Sequence, residues 1–284
     1  MLVKTAITLI VQVIILLVVG TNVCAGDLSE GIDNFWLKSI ISIEALNDSG
    51  AWIPQGTGFL MRSPQNHSVL VTAKHVIIDT AGSVRSDLGY RVNRKEGTSY
   101  VISDSLLTAH AGPWLLSQTF DVAVRIFGVK KKSDSDVESL PQDRLRNIER
   151  LKAGALVLVP GFPLGFRSEK YADPVVRRGV VARVDDSSII IDAMLLRGNS
   201  GSPVIYTPTM KLGTGLTSPF INEERVIGVV SWGYSERKIA TDVKDSSTTI
   251  LYKDNAGLSK IVPVEYLSEL LSSAEFLKMD STQR

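Results

Sequence analysis

The sequence contains little cysteine, little histidine and no surplus of either charge. Cys24 is the only cysteine and lies in an uncharged N-terminal stretch, so no disulfide can form within the rest of the chain. The three histidines form no cluster with other ligand-type residues at a metal-binding spacing, and we therefore expect neither a metal nor another cofactor. Lys and Arg total 31 against 30 Asp and Glu, which argues against a nucleic-acid partner because such proteins carry a surplus of basic residues.

The N-terminal stretch predicts export from the cytoplasm. Lys4 is followed by residues 5–26 without a charge, and Ile, Leu and Val fill most of residues 7–19. Residues 1–25 therefore predict a signal peptide cleaved after Ala25, or an uncleaved N-terminal anchor, since residues 5–26 are long enough to span a bilayer. Both alternatives place the rest of the chain outside the cytoplasm, as a secreted or periplasmic protein or on a membrane anchor.

Short apolar runs between turn-forming residues predict an all-β fold. Nine runs rich in Val, Ile and Leu alternate with clusters of Gly, Pro, Asn and Ser, which is too many strands for one small sheet. The polar segment 129–152 interrupts the runs and predicts a linker between two β units. Apolar residues at helical spacing after Pro263 predict a closing helix over 263–278.

The most specific local pattern is GNSGSP, over residues 198–203. A serine flanked by glycines can sit on a tight turn that exposes its hydroxyl and leaves the neighbouring backbone amides free. Such amides stabilise the negative oxygen that forms during acyl transfer, and losing one costs about 3 to 4 kcal/mol in the transition state. Ser200 is therefore a candidate nucleophile, although an ordinary turn between strands has the same composition.

A histidine and an aspartate can complete this chemistry. His75 lies at the end of the apolar run LVTAKHV (70–76), and a histidine side chain can take and return a proton near neutral pH. Asp121 opens the alternating segment DVAV (121–124), and a carboxylate beside an imidazole orients the ring. Taken singly, the histidine fits a structural role and the aspartate fits a strand start. The other two histidines lie in polar contexts without a strand end.

Taken together, these strings resemble the trypsin-like (chymotrypsin-fold) serine peptidases. The resemblance rests on GTGFL (56–60), VTAKHV, DVAV, GNSGSP and VIGVVSWG (226–233), in the order histidine, aspartate, serine, and it extends over about residues 36–270. GFPLG (161–165) and AGLSKIVPVEYL (256–267) bring the chain nearest the disulfide-free bacterial branch, which includes glutamyl endopeptidases and HtrA-like proteases. An esterase of the α/β-hydrolase fold would place its histidine last, so that fold is disfavoured.

The resemblance implies two six-stranded antiparallel β-barrels, over residues 36–128 and 153–260, with the active site between them. It implies that Ser200 is the nucleophile, His75 the general base and Asp121 the carboxylate that orients the base.

The resemblance also implies the surroundings of the nucleophile. The backbone amides of Gly198 and Ser200 would form the oxyanion hole. A polypeptide substrate would pair with the strand edge at 231–233, which comprises Ser231, Trp232 and Gly233. Met194 would lie at the floor of the pocket for the residue before the cut, where it favours apolar or small side chains, although AMLLR (193–197) departs from the usual family wording.

We therefore expect an exported serine endopeptidase that hydrolyses peptide bonds through a Ser-His-Asp triad. The alternative is a catalytically silent module that keeps the same fold and binds peptides on the same strand edge, since a fold alone does not imply an activity.

Overall fold

Thirteen β-strands and five short α-helices form within the residues that the structure, a computed structural model, describes: 31–128, 134–145, 151–168, 170–208, 224–241 and 249–283. The predicted signal peptide or anchor and parts of the predicted linker lie outside these residues. Among the described helices, none is both long and apolar enough to cross a membrane.

The first half of the chain forms a seven-stranded antiparallel sheet in the order β5-β4-β1-β2-β3-β7-β6. Its strands are β1 (Ile40–Leu46), β2 (Trp52–Arg62), β3 (Ser68–Thr72), β4 (Leu88–Asn93), β5 (Ser99–Ser103), β6 (Leu115–Leu116) and β7 (Ala123–Ile126). The sequence predicted six strands for this unit. The seventh, β6, is a two-residue strand that pairs with β7 at the sheet edge, too short for a periodic pattern to reveal.

The second half closes into a six-stranded antiparallel barrel in the order β10-β13-β12-β11-β8-β9. Its strands are β8 (Leu156–Gly161), β9 (Val175–Val184), β10 (Ile189–Asp192), β11 (Pro203–Tyr206), β12 (Arg225–Thr241) and β13 (Thr249–Pro263). The closed barrel and the seven-stranded sheet are consistent with the double-barrel fold that the resemblance implied. β12 and β13 are 17 and 15 residues long and pair beyond the barrel wall as a two-stranded ribbon.

The helices are short and lie outside the two sheets. They are α1 (Asn34–Lys38), α2 (Lys74–Ile77), α3 (Asp104–Ala111), α4 (Val264–Ser272) and α5 (Ala274–Ser281). The C-terminal segment thus contains two helices where the sequence predicted one. Ser273 separates them because its backbone is extended (φ −64°, ψ 147°), and its side chain accepts a hydrogen bond from the Phe276 amide to cap α5.

Each half has its own apolar core. Ile43, Leu60 and Leu70 are fully buried in the first sheet, and Val159 and Ile191 in the second barrel. Complete burial of such a side chain contributes about 1.5 to 3 kcal/mol, so these two cores rather than disulfides hold the strands in register. The register in turn sets where the loops at the strand ends meet.

Candidate active site

His75 and Asp121 meet at the end of the first sheet. β3 ends at Thr72 and the chain turns at once into α2, which carries His75, while Asp121 lies just before β7, the strand paired with β3. The Asp121 carboxylate accepts two hydrogen bonds from His75, one from its backbone amide at 2.9 Å and one from its Nδ1 at 2.7 Å. Since a carboxylate only accepts, Nδ1 carries a proton, and the neutral form of this ring has its lone pair on Nε2.

A third donor to Asp121 comes from the second barrel. The Ser231 hydroxyl donates to Asp121 Oδ2 at 2.6 Å. Burial tends to raise the pKa of the Asp121 carboxyl, but the hydrogen bonds and positive charge of His75, together with the Ser231 hydroxyl, outweigh burial and hold the pKa below its usual value. The carboxylate therefore stays ionised beside the imidazole near neutral pH.

Ser200 lies on a loop that the first sheet holds in place. The Thr57 amide donates to the Ser200 carbonyl at 2.9 Å, and the Thr57 hydroxyl donates to the Gly198 carbonyl at 2.7 Å. A side chain at Gly201, where φ is +85°, would place Cβ 2.1 Å from the Thr57 carbonyl oxygen. Glycine is thus required by both the backbone conformation and the close approach of the two halves.

The backbone around Gly198 leaves two amides available for an incoming oxygen. The Leu164 amide donates to the Arg197 carbonyl at 2.6 Å, and because the Arg197–Gly198 peptide is trans, the Gly198 N–H points away from Leu164. In the described part of the chain, neither the Gly198 amide nor the Ser200 amide donates to a protein acceptor. Gly198 has φ +98°, and a Cβ there would lie 2.2 Å from the Phe162 carbonyl oxygen.

Asn199, next to the candidate nucleophile, is fully buried and bonded to its own loop. Its Oδ1 accepts from the Leu196 amide at 3.1 Å, and its backbone amide donates to the Leu196 carbonyl at 3.0 Å. These two bonds add local contacts to the Thr57 anchors that hold the turn before Ser200.

Ser200 and His75 line the same cleft, which holds about 520 Å³ and falls in the size range of ligand pockets. Its lining comprises His75, Leu195, Leu196, Arg197, Ser200, Val230, Ser231, Trp232, Gly233, Tyr234, Ser235, Lys253, Asp254 and Asn255. A larger cavity of about 650 Å³ lies in the first sheet beside His67 and His110 and shares no residue with this cleft.

The predicted substrate-contacting residues divide into two groups. Ser231, Trp232 and Gly233 line the cleft, and Trp232 is 64% exposed. Residues 232 and 233 of β12 pair with β13 along one edge of the strand. Along the other edge, the pairing of β12 with β11 ends at Val229, so no described strand covers residues 231–233 there. Met194 is 51% exposed and does not line the cleft.

Several cleft contacts were not apparent from the sequence. Asn255 of β13 donates from Nδ2 to the Leu195 carbonyl at 2.6 Å and accepts from the Gly257 amide at 2.8 Å, so it fixes one cleft wall. The Thr57 hydroxyl anchors the serine loop, and the Ser231 hydroxyl reaches Asp121. The GTG and SWG strings that contain these residues point to the family but not to the hydroxyl contacts.

A protein-family model and one solved structure agree with this architecture. Residues 56–210 match the family model described as a trypsin-like peptidase domain. Human heparin binding protein has a similar fold, with a TM-score of 0.51, 12% identity, and coverage of 84% of this chain and 91% of that one. An inactive serine-to-alanine mutant of Rv3671c from M. tuberculosis H37Rv aligns with a TM-score of 0.42, 16% identity, and coverage of 87% and 89%. A search of curated proteins found no significant match.

Proposed function

Because the chain belongs to the trypsin-like peptidase domain family, we propose that it is a serine endopeptidase in which Ser200 is the nucleophile, His75 the general base and Asp121 its orienting carboxylate. Membership of a peptidase family implies polypeptide substrates. One observation supports the assignment of roles: His75 Nδ1 lies 2.7 Å from Asp121 Oδ2 and donates to it, and His75 lines the same cleft as Ser200.

The chemistry follows from this arrangement. His75 Nε2, the ring nitrogen without a proton, accepts the Ser200 hydroxyl proton as the oxygen attacks the substrate carbonyl, and His75 then gives that proton to the leaving amine. Asp121 stabilises the imidazolium that forms in between. Water hydrolyses the acyl-enzyme by the same sequence of proton transfers.

The Gly198 and Ser200 amides are proposed to bind the oxyanion. This proposal is supported by the orientation of the Arg197–Gly198 peptide. The Leu164 amide donates to the carbonyl of this peptide, and the Gly198 N–H points to the opposite side. Donors fixed before the reaction need no reorganisation when the negative charge develops, which is why such groups are effective.

The strand edge at 231–233 is proposed to bind the substrate backbone on the acyl side of the cut. An extended peptide gains main-chain hydrogen bonds from an uncovered strand edge of this kind. The buried Leu195 and Val230, together with Leu196, line the cleft near Ser200 and suit an apolar residue before the cut. The proposed role of Met194 as a pocket floor has no support from the cleft lining.

We further propose export from the cytoplasm, on the sequence pattern of residues 1–25. Membership of the disulfide-free bacterial branch likewise stays a proposal that rests on the sequence strings. Cleavage after Ala25 predicts a mature protein that begins at Gly26, and N-terminal sequencing of the exported protein distinguishes this form from an anchored one.

Labelling with a fluorophosphonate tests the catalytic proposal. We expect covalent labelling and peptide hydrolysis by the wild type, and loss of both in Ser200→Ala and in His75→Ala. Ser202→Ala is the matched control, because Ser202 is two residues away and fully buried. Labelling that survives in Ser200→Ala would contradict the assignment. A wild-type protein that binds peptides but neither labels nor hydrolyses them would instead be the silent binding module.

A further inference from the structure

The ribbon formed by β12 and β13 extends one wall of the cleft. Beyond the barrel the two strands remain paired from Ser235 opposite Asn255 to Thr241 opposite Thr249. Ser235, Lys253 and Asn255 line the cleft together with His75 and Ser200. The stem of the ribbon is therefore continuous with the candidate active site.

The two faces of the ribbon differ in what they present. In an antiparallel pair, directly opposed residues share a face and successive pairs alternate between faces. The face that contains Ser235 and Asn255, called the cleft face, continues with the pair Arg237–Lys253 and then with the pair Ile239–Leu251. The side chains of Arg237 and Lys253 are exposed, and Ile239 and Leu251 are 72% and 66% exposed.

The charges of the opposite face are compensated within the ribbon. Lys238 Nζ lies 2.7 Å from Asp254 Oδ2 and 3.6 Å from Glu236 Oε2. These contacts hold the pKa of the Asp254 carboxyl below its usual value, through the hydrogen bond from Lys238 first and its charge second. Although Asp254 also lines the cleft, its charge is paired with Lys238.

In the part of the chain that the structure describes, the cations of the cleft face have no such ion-pair partner. Over the described ranges, no carboxylate lies within 4.0 Å of the charged groups of Arg237 or Lys253. Two like charges directly opposite each other in a sheet destabilise the pair, and a carboxylate between them would remove that cost. Arg197, which also lines the cleft, adds a third exposed cation to the same region.

The ribbon lies in the path of the substrate segment upstream of the cut. A peptide that pairs antiparallel with residues 231–233 runs toward Ser235 and the ribbon as it is followed back toward its own N-terminus. The apolar residues Leu195 and Val230 line the cleft together with Ser200. The pair Arg237–Lys253 is the next pair on the cleft face after Ser235–Asn255 and lies about 7 Å farther along the strand.

We propose that Arg237 and Lys253 form a carboxylate subsite, so that the enzyme favours substrates with Asp or Glu upstream of the residue at the cut, and not at that residue. The inference rests on the proposed peptidase function. An exposed ion pair contributes about two- to fivefold in binding, so two cations together give a preference of about tenfold in kcat/KM. The preference should fall in 1 M salt, where the Debye length is about 3 Å.

The test compares fluorogenic peptides that share one apolar residue at the cut and carry Asp, Gln or Lys at each of the five positions upstream. We expect Asp to raise kcat/KM over Gln at one or two upstream positions, mainly through a lower KM. In Arg237→Gln/Lys253→Gln the ratio of the Asp to the Gln substrate should fall to about one. In Arg237→Glu/Lys253→Glu the Lys substrate should become the preferred one.

Lys238→Gln/Asp254→Asn is the matched control, because it removes the ion pair of the opposite face without leaving the Asp254 charge unpaired on the cleft. It should keep the wild-type ratio of Asp to Gln substrate. Equal rates for the Asp and Gln peptides in the wild type would overturn the inference, as would a Lys238→Gln/Asp254→Asn variant that lowers the ratio as much as Arg237→Gln/Lys253→Gln. Failure to hydrolyse any peptide would instead contradict the proposed peptidase function.

Discussion

The Thr57 hydroxyl provides the sharpest test of how the two halves hold the serine loop together. Thr57 is fully buried in β2, where its Oγ1 donates to the Gly198 carbonyl at 2.7 Å and accepts from the Phe162 amide at 3.0 Å. Thr57→Val keeps the shape of the side chain but removes the hydroxyl. Two buried backbone groups, one acceptor and one donor, then lose a partner at once.

The expected loss follows from these two groups. An unsatisfied buried polar group costs about 1 to 3 kcal/mol, so Thr57→Val should lower the free energy of unfolding by about 2 to 5 kcal/mol. Thr57→Ser keeps the hydroxyl and loses only a methyl group, so it should retain most of the stability. Turnover should also fall in Thr57→Val, because the Gly198 carbonyl that sets the loop is no longer held.

Urea denaturation followed by circular dichroism measures both variants against the wild type under one set of conditions. The decisive quantity is the difference in the free energy of unfolding between Thr57→Val and Thr57→Ser, since it separates the effect of the hydroxyl from that of the methyl group. A Thr57→Val protein within about 0.5 kcal/mol of the wild type would refute the proposed anchoring, because a change that small is typical of an unconstrained surface position.

Two further predictions concern the carboxylates of Asp121 and Asp280. Because the pKa of Asp121 is held below its usual value in the folded state, the ionised carboxylate stabilises the fold above about pH 4, where the unfolded carboxyl ionises, and this stability is lost as the pH falls through the folded pKa. Urea denaturation from about pH 2 to 6 should therefore show a steeper loss of stability in acid for the wild type than for Asp121→Asn. Parallel curves for the two proteins would contradict this. Asp280 of α5 is fully buried and accepts hydrogen bonds from Ser63 Oγ at 2.6 Å, the Gln65 amide at 3.0 Å and His67 Nδ1 at 2.8 Å. Asp280→Ala should therefore lower the free energy of unfolding by about 2 to 5 kcal/mol in the same assay, whereas Glu275→Ala on the same helix should lower it by less than about 0.5 kcal/mol. Equal effects would show that α5 does not dock through Asp280.

Local strings were enough to predict the fold and the main candidate residues. The strand runs predicted an all-β chain, and the double-barrel fold is confirmed. His75 and Asp121 were proposed from separate strings, and the structure brings them within hydrogen-bond distance because their strands, β3 and β7, are neighbours. The catalytic roles themselves stay proposals until they are measured.

Other features could not be derived from local patterns. The resemblance implied that Met194 lies at a pocket floor, whereas Met194 is half-exposed and outside the cleft lining, because the path of a loop depends on what packs beneath it. The two-residue strand β6 and the break at Ser273 are too short to alter a periodic pattern. The N-terminal prediction falls on residues that the structure does not describe.

The sequence by itself determined the strand pattern, the glycine turn around Ser200 and the chemical types of the candidate triad, because each is encoded within a few consecutive residues. Only the tertiary structure decided that the Thr57 hydroxyl holds the Gly198 carbonyl across 141 positions and that the Ser231 hydroxyl reaches Asp121 across 110. It also decided that Arg237 and Lys253 lie opposite each other on one face of the ribbon. Such contacts depend on strand register and on how the two cores meet, and neither can be derived from the local order of residues.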